Sequence, residues 1–394
     1  MSYVDNTPQL LIGGTIVTET KVIHEGWIMI EHGKIIEIGE KNTLPSKWSA
    51  HPVTTIDENH FVFPGFIDVH IHGAAGADVM DATEDALSTM AKVLPQEGTT
   101  SFLATTITQS DESISKTLTS IASFMKKEYK GAEVLGVHLE GPFINKKYAG
   151  AQPIDQIISP NLALFEGWNQ LAEGAIRLVT LAPEEEHGLE FVKALTTQGI
   201  IASIGHSNAS HSEVKLAVEH GLSHATHLYN AMRPMHHRDP GVVGSVLLED
   251  KIMAEIIFDQ VHCVKEMVEL AFKMKGSNKL QLITDAMRAK CLREGTYELG
   301  GQTVDLKGNE ARLKDGTLAG SVLKMNEAVR HASELEGCEL VDLAKMSSMN
   351  AAKELKVYDR KGSIDVGKDA DLVILDQAFN VISTYCRGHL IYKA

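Results

Sequence analysis

The chain has 394 residues, 43% of them hydrophobic and 23% charged, with a formal net charge of −15. That length suits one large domain plus a small one; no run approaches the roughly 20 apolar residues of a membrane span, and the acidic balance argues against nucleic acid or an anionic membrane as partner. Cys263, Cys291, Cys338 and Cys386 are scattered with no CxxC pair, which excludes a disulfide framework and a thiolate zinc site. Residues 1–8 are polar and lack a secretory pattern, so a cytoplasmic location is expected.

Taken in order, the N-terminal stretch 9–38 reads as short alternating strands broken at Gly13-Gly14 and at the His32-Gly33 turn. From residue 66 a different pattern begins: a short apolar, β-branched run, then a polar position, then a helical stretch. It places strands at 66–70, 99–104, 134–139, 177–181, 200–204, 224–227, 253–258 and 280–284. These runs are continuously apolar rather than alternating, as strands covered on both faces require. Amphipathic spacing predicts helices at 85–94, 112–127, 211–219 and 264–275, with two more at 322–335 and 340–355. Eight strands alternating with helices fit a (β/α)8 TIM-type barrel over 62–358; a doubly wound sheet is disfavoured because no GxGxxG turn follows the first strand. Residues 287–320 are too long for a barrel loop and predict a hairpin insertion over its mouth. The C-terminal stretch 362–391 is again strand-like around 376–380. Neither end can hold a core alone, so residues 1–61 and 359–394 are expected to form one discontinuous β-sandwich domain.

Residues just past the C-terminal ends of barrel strands face the active site. His70 and His72 close the first strand, and residues two apart share a face of an extended chain. Glu140 ends the third strand, His206 the fifth, His227 the sixth and Asp285 the eighth. Imidazoles and carboxylates in this number suit Zn2+ or a similar first-row ion. One histidine at the end of an apolar run would be read as a core residue; six ligand-type residues at the ends of five strands would not.

Pro64-Gly65-Phe66-Ile67-Asp68-Val69-His70-Ile71-His72-Gly73 resembles the opening signature of the amidohydrolase superfamily, and Gly362-Ser363-Ile364-Asp365-Val366-Gly367-Lys368-Asp369-Ala370-Asp371-Leu372-Val373 resembles its return into the small β domain. His138-Leu139-Glu140-Gly141-Pro142-Phe143, Gly205-His206-Ser207-Asn208-Ala209 and Thr226-His227-Leu228-Tyr229-Asn230-Ala231-Met232 narrow the likeness to the N-acetylglucosamine-6-phosphate deacetylases, over residues 12–391.

The resemblance implies hydrolysis of the acetyl amide of a phosphorylated amino sugar, in amino-sugar catabolism and cell-wall sugar recycling. Glu140, His206 and His227 would hold the main ion, Zn2+ or Fe2+. Because both His70 and His72 are kept, one or two ions per subunit are expected. Asp285 is the expected general base and acid. Asn230, Ala231, Arg238 and His262 match phosphate-side positions, in a homodimer whose neighbouring subunit supplies one such contact. Without the resemblance Arg238 would read as a solvated loop charge. Ala151 and Gln152 match a substrate-binding pair; some relatives carry histidine in place of Gln152, where it polarises the carbonyl. Leu318, Ala319 and Gly320 match a loop beside the acetyl group. The competing assignments are another amidohydrolase, such as a cyclic-amide hydrolase or deaminase, and a non-catalytic interaction module.

Overall fold

The computed structural model describes residues 8–48 and 51–394. The expectation drawn from residues 1–8 lies, Pro8 apart, outside the described residues.

Eight parallel strands follow one another around a single sheet: Phe66–Ile71, Thr99–Thr105, Glu133–Glu140, Ile176–Leu181, Ile201–Ile204, His224–Ala225, Met253–Ile257 and Leu280–Ile283. They are the predicted strands in the predicted order. The seam between the eighth and the first is closed by side chain and loop. Asp68 accepts the Thr284 hydroxyl at 2.5 Å and the His70 main-chain N–H at 3.2 Å, and Asp285 N–H donates to the His70 carbonyl at 2.8 Å. The sixth strand is two residues shorter than predicted because His227 and Tyr229 adopt left-handed backbone, φ 32° and 81°, and carry the chain off the sheet.

Helices Glu84–Val93, Asp111–Met125, His211–Glu219 and Lys265–Lys275 occupy predicted positions. Each buries one face on the barrel; Ile114, Leu118 and Ile121 of the second are fully buried. Three helices escaped prediction: Leu162–Leu171, Gly188–Thr197 and Gly241–Leu248. The last, Gly-Val-Val-Gly-Ser-Val-Leu-Leu, is buried on nearly every side and so has no amphipathic period to find. Met325–Ala332 starts later than predicted, because Ser321 still bridges Ala286 in extended pairing. The predicted 340–355 helix is Leu340–Ala344, a π turn over Lys345–Met349, and Asn350–Glu354. Ser348 donates to the Gly65 carbonyl, and Asn350 to those of Ser277 and Leu280, tying this segment to the first and eighth strands.

Strands from both chain ends share a second sheet, in the order His389–Lys393, Val381–Cys386, Leu372–Leu375, Val53–Pro64, Gln9–Val17, Gly26–Glu31, Lys34–Glu40. Backbone bonds from Ile35 to Lys368 and from Ala370 to Gly33 bring the far edge back against the segment entering Leu372–Leu375. Leu11, Ile28, Ile30, Ile35, Leu372 and Ile374 fill the space enclosed. Gly13-Gly14 does not break its strand. It forms a bulge at φ 108° and 67°, where a Cβ on Gly13 would lie 2.1 Å from the Ile56 carbonyl oxygen.

Between the eighth strand and Met325, the strands Gly295–Leu299, Gln302–Lys307 and Glu310–Leu313 form an antiparallel meander. Gln302 donates to the Ala151 carbonyl and Gln109 to that of Gly300, pinning it over the loops after the second and third barrel strands. Among the described residues, no helix is long and apolar enough to cross a membrane.

Candidate metal centre and active site

The strand ends deliver their polar residues to one point. Glu140 closes the third strand, while His206, His227 and Asp285 each sit two residues beyond theirs, at φ 49°, 32° and 48°. Non-glycine residues held in this region cost backbone strain and concentrate at functional sites; here the left-handed step accompanies each departure from the sheet at a strand end.

Glu140 is the hub. Its Oε1 lies 3.1 Å from His206 Nε2 and 3.2 Å from His227 Nε2, and those two nitrogens are 3.1 Å apart. Its Oε2 lies 3.3 Å from His72 Nε2, while His70 Nε2 is 3.5 Å from Oε1. Asp285 Oδ1 stands 3.3 Å from His72 Nε2 and 3.5 Å from His70 Nε2. All six side chains are buried.

These residues fit a divalent ion. His206 Nδ1–H donates to the Tyr148 carbonyl at 2.9 Å and His70 Nδ1–H to Glu255 at 3.0 Å, so each presents an Nε2 lone pair to the Glu140 carboxylate. The buried His70 Nε2 has no hydrogen-bond partner. Lone pairs converging on a carboxylate are a cation's donor set. Two positions emerge, Glu140/His206/His227 and His70/His72/Glu140. Burial alone would depress the pKa of His72, but Asp285 and Glu140 outweigh it and raise it to about 9; His70 is likewise raised against burial, chiefly by Glu140. The field that would protonate these rings also favours a divalent cation between neutral ones.

Above this floor opens a cavity of about 340 Å3. Of the positions expected to contact substrate, Ala151, Gln152, Asn230, Ala231, His262, Leu318 and Gly320 line it, whereas Ala319 is buried and does not. Arg238 lies apart, on an exposed turn with its Nη1 2.6 Å from His237 Nε2. Gln152 is fully engaged: its oxygen accepts the Thr108 N–H at 2.8 Å and its nitrogen donates to Glu140 Oε2 at 2.8 Å. His262 Nδ1–H donates to Asp259 at 2.6 Å, which turns Nε2 away from that carboxylate.

Sequence reasoning missed Ile107, Gly150, Leu299, Arg312 and Thr317 in the lining. Arg312 is held by Glu310 Oε2 at 2.7 Å and the Gly316 carbonyl at 2.6 Å. The i, i+2 spacing of Glu310 and Arg312 was the available signal, once 310–313 is read as a strand. Asp259 and Glu255 were also missed.

A parallel eight-stranded barrel with a histidine–carboxylate donor set at its C-terminal mouth defines a metal-dependent hydrolase of the amidohydrolase type. The amidohydrolase family profile matches residues 61–391. The chain is 49% identical to the N-acetylglucosamine-6-phosphate deacetylase of Bacillus subtilis (strain 168), over 96% of this chain and 95% of that one. Its fold superposes on the Mycobacterium smegmatis N-acetyl-D-glucosamine-6-phosphate deacetylase with a TM-score of 0.92 at 27% identity, covering 98% of this chain and 100% of that one. The Pasteurella multocida N-acetylglucosamine-6-phosphate deacetylase gives 0.91 at 30% identity, with the same coverage. The chain belongs to the amidohydrolase family and, within it, to the N-acetylglucosamine-6-phosphate deacetylases.

Proposed function

We propose that this chain hydrolyses N-acetyl-D-glucosamine 6-phosphate to D-glucosamine 6-phosphate and acetate. The observation that carries this is the convergence of His70, His72, Glu140, His206 and His227 beside Asp285, on the floor of a cavity walled by the predicted substrate positions.

Glu140, His206 and His227 would hold the principal ion, Zn2+ or Fe2+, and His70 and His72 with Glu140 a second. When bound, such an ion supplies Lewis acidity, acidifying water and polarising an amide carbonyl. Asp285 takes the proton from the attacking water as its oxygen bonds to the acetyl carbon. It then returns that proton to the sugar nitrogen as the C–N bond breaks, so acetate and the free amine leave together. Burial raises the Asp285 pKa, but in the metal-free chain protonated His70 and His72 outweigh it and hold the carboxyl below its ordinary range; a bound cation would supply that positive charge in their place. The nearness of Asp285 Oδ1 to both His70 and His72 supports this role. Gln152 acts on Glu140 rather than on the substrate carbonyl.

At the other end of the cavity, His262 with Asn230 and Ala231 receives the phosphate. Arg238, exposed and outside this chain's own cavity, supplies its contact across a homodimer. The barrel spans 62–358, the two chain ends make the small domain, and the protein works in the cytoplasm. The meander 295–313 closes the mouth and brings Leu299 and Arg312 to the sugar.

The test is acetate release from N-acetylglucosamine 6-phosphate by metal-analysed protein, with the unphosphorylated sugar and a chelated sample alongside. Chelator-sensitive release that prefers the phosphorylated sugar is expected. No release from fully metal-loaded protein would move the activity to another amide or ring substrate.

A further inference from the structure

Glu255 lies in the middle of the seventh barrel strand, fully buried, and three other elements converge on it. Its Oε2 accepts the Nδ1–H of His70, from the first strand, at 3.0 Å and the main-chain N–H of His227, past the sixth strand, at 3.1 Å. Its Oε1 accepts Nε2–H of His224 at 3.0 Å. His224 Nδ1 in turn stands 3.0 Å from Glu354 Oε2, an ion-pair distance rather than an aligned hydrogen bond. The Glu255 carbonyl takes the Leu228 N–H at 2.9 Å as well.

His70 belongs to the pair of histidines at one ion position, and His227 to the pair at the other. A single carboxylate oxygen thus grips a ligand of each. We propose that Glu255 is a positioning residue that aligns both halves of the metal centre through this one oxygen. It touches no reacting atom, and the inference rests on the metal-centre reading above. For His70 it keeps the proton on Nδ1, so that Nε2 faces Glu140. For His227 it holds the left-handed backbone that aims the ring inward. The His224–Glu354 pair fixes the carboxylate from behind, so that it cannot turn away from either ligand. Without Glu255, the His70 Nδ1–H would be buried without an acceptor, and the ring could reverse to seek one.

The experiment titrates metal-free wild type, Glu255→Ala and Glu255→Gln with Zn2+ against a chromophoric chelator, recording the melting of each metal-free protein. Glu255→Ala is expected to bind Zn2+ about 10–100-fold more weakly. Glu255→Gln keeps an accepting oxygen toward His70 and His227, and its amide N–H is accepted by His224 once that ring sheds its Nε2 proton and keeps Nδ1–H toward Glu354, so it restores most of the affinity. Wild-type affinity in Glu255→Ala, or the same loss in both variants, would overturn the proposal. Should Glu255→Ala fail to fold, 15N-histidine spectra of the Zn2+-loaded wild type decide the point. A protected proton on His70 Nδ1 is expected, and one on Nε2 would overturn the assignment. A wild-type protein that takes up no ion would overturn the metal-centre reading together with this one.

Discussion

Gln152 donates its side-chain N–H to Oε2 of Glu140 at 2.8 Å, and its own oxygen is fixed by the main-chain N–H of Thr108. Both ends of the amide are therefore committed before any substrate arrives. Its N–H steadies the carboxylate on which four imidazoles converge. Gln152→Ala is expected to weaken metal binding about tenfold or more, with KM little changed. Chelator competition and steady-state kinetics on the metal-saturated variant check this. Unchanged affinity with a raised KM would return Gln152 to the substrate.

Asp285 sits two residues past the eighth strand, with its main-chain N–H locked to the His70 carbonyl at 2.8 Å. The isosteric Asp285→Asn change keeps this frame but removes the proton acceptor. A fall in kcat of about 10²–10⁴-fold is expected, with the metal content retained by elemental analysis. A variant turning over near the wild-type rate would take Asp285 out of the proton path.

A pH effect on stability arises behind the metal centre. Burial pulls the pKa of His224 down, but Glu354 and Glu255, which face its two nitrogens, outweigh this and raise it to about 10. The folded protein therefore holds this proton where the unfolded chain, titrating near 6.5, has lost it. Its stabilising contribution is complete below about pH 6.5 and is lost as pH climbs toward 10. Denaturation midpoints of the metal-free protein should fall between pH 7 and 10. His70 and His72, whose pKa values are also raised, share in that slope, so His224→Gln should make it shallower without abolishing it, and an equal slope in the variant would remove His224 as a source.

Much of this was legible in the chain because a covered parallel strand writes itself as an apolar run, and a polar residue at or just past its end stands out. His70, His72, Glu140, His206, His227 and Asp285 were readable as strand-end positions for that reason. Glu255 was not: it is one charge inside Met-Ala-Glu-Ile-Ile, and its partner His70 lies 185 residues away. Asp68 was quoted only as part of a motif, though it closes the barrel seam on Thr284. Helix Gly241–Leu248 carried no period, being buried all round, and the meander's Arg312 needed a strand register that turn residues alone do not supply.

Arg238 separates what one chain builds from what two would complete. Its side chain is exposed and meets His237 on the same turn, while Arg233 nearby is consumed by Asp239 at 2.5 Å. The turn itself is rigidly made, with reciprocal backbone bonds between His236 and Asp239 at 2.8 and 2.9 Å. A fixed, unburied guanidinium outside the cavity suits delivery to a neighbouring subunit's substrate, where its planar fork matches a phosphate. Arg238→Ala should then raise KM for N-acetylglucosamine 6-phosphate about tenfold or more, the scale of one lost charge-assisted hydrogen bond pair, and leave the unphosphorylated sugar unaffected. Mixing Arg238→Ala with Asp285→Asn sharpens the test. Each variant lacks a different element, so a mixed dimer with a shared contact keeps one site with both an intact Asp285 and a neighbour's Arg238. Recovery of part of the activity on mixing, with dimer mass in solution, is the expected outcome. Equal KM changes for both sugars, or a monomer that retains full phosphate preference, would sink the assignment.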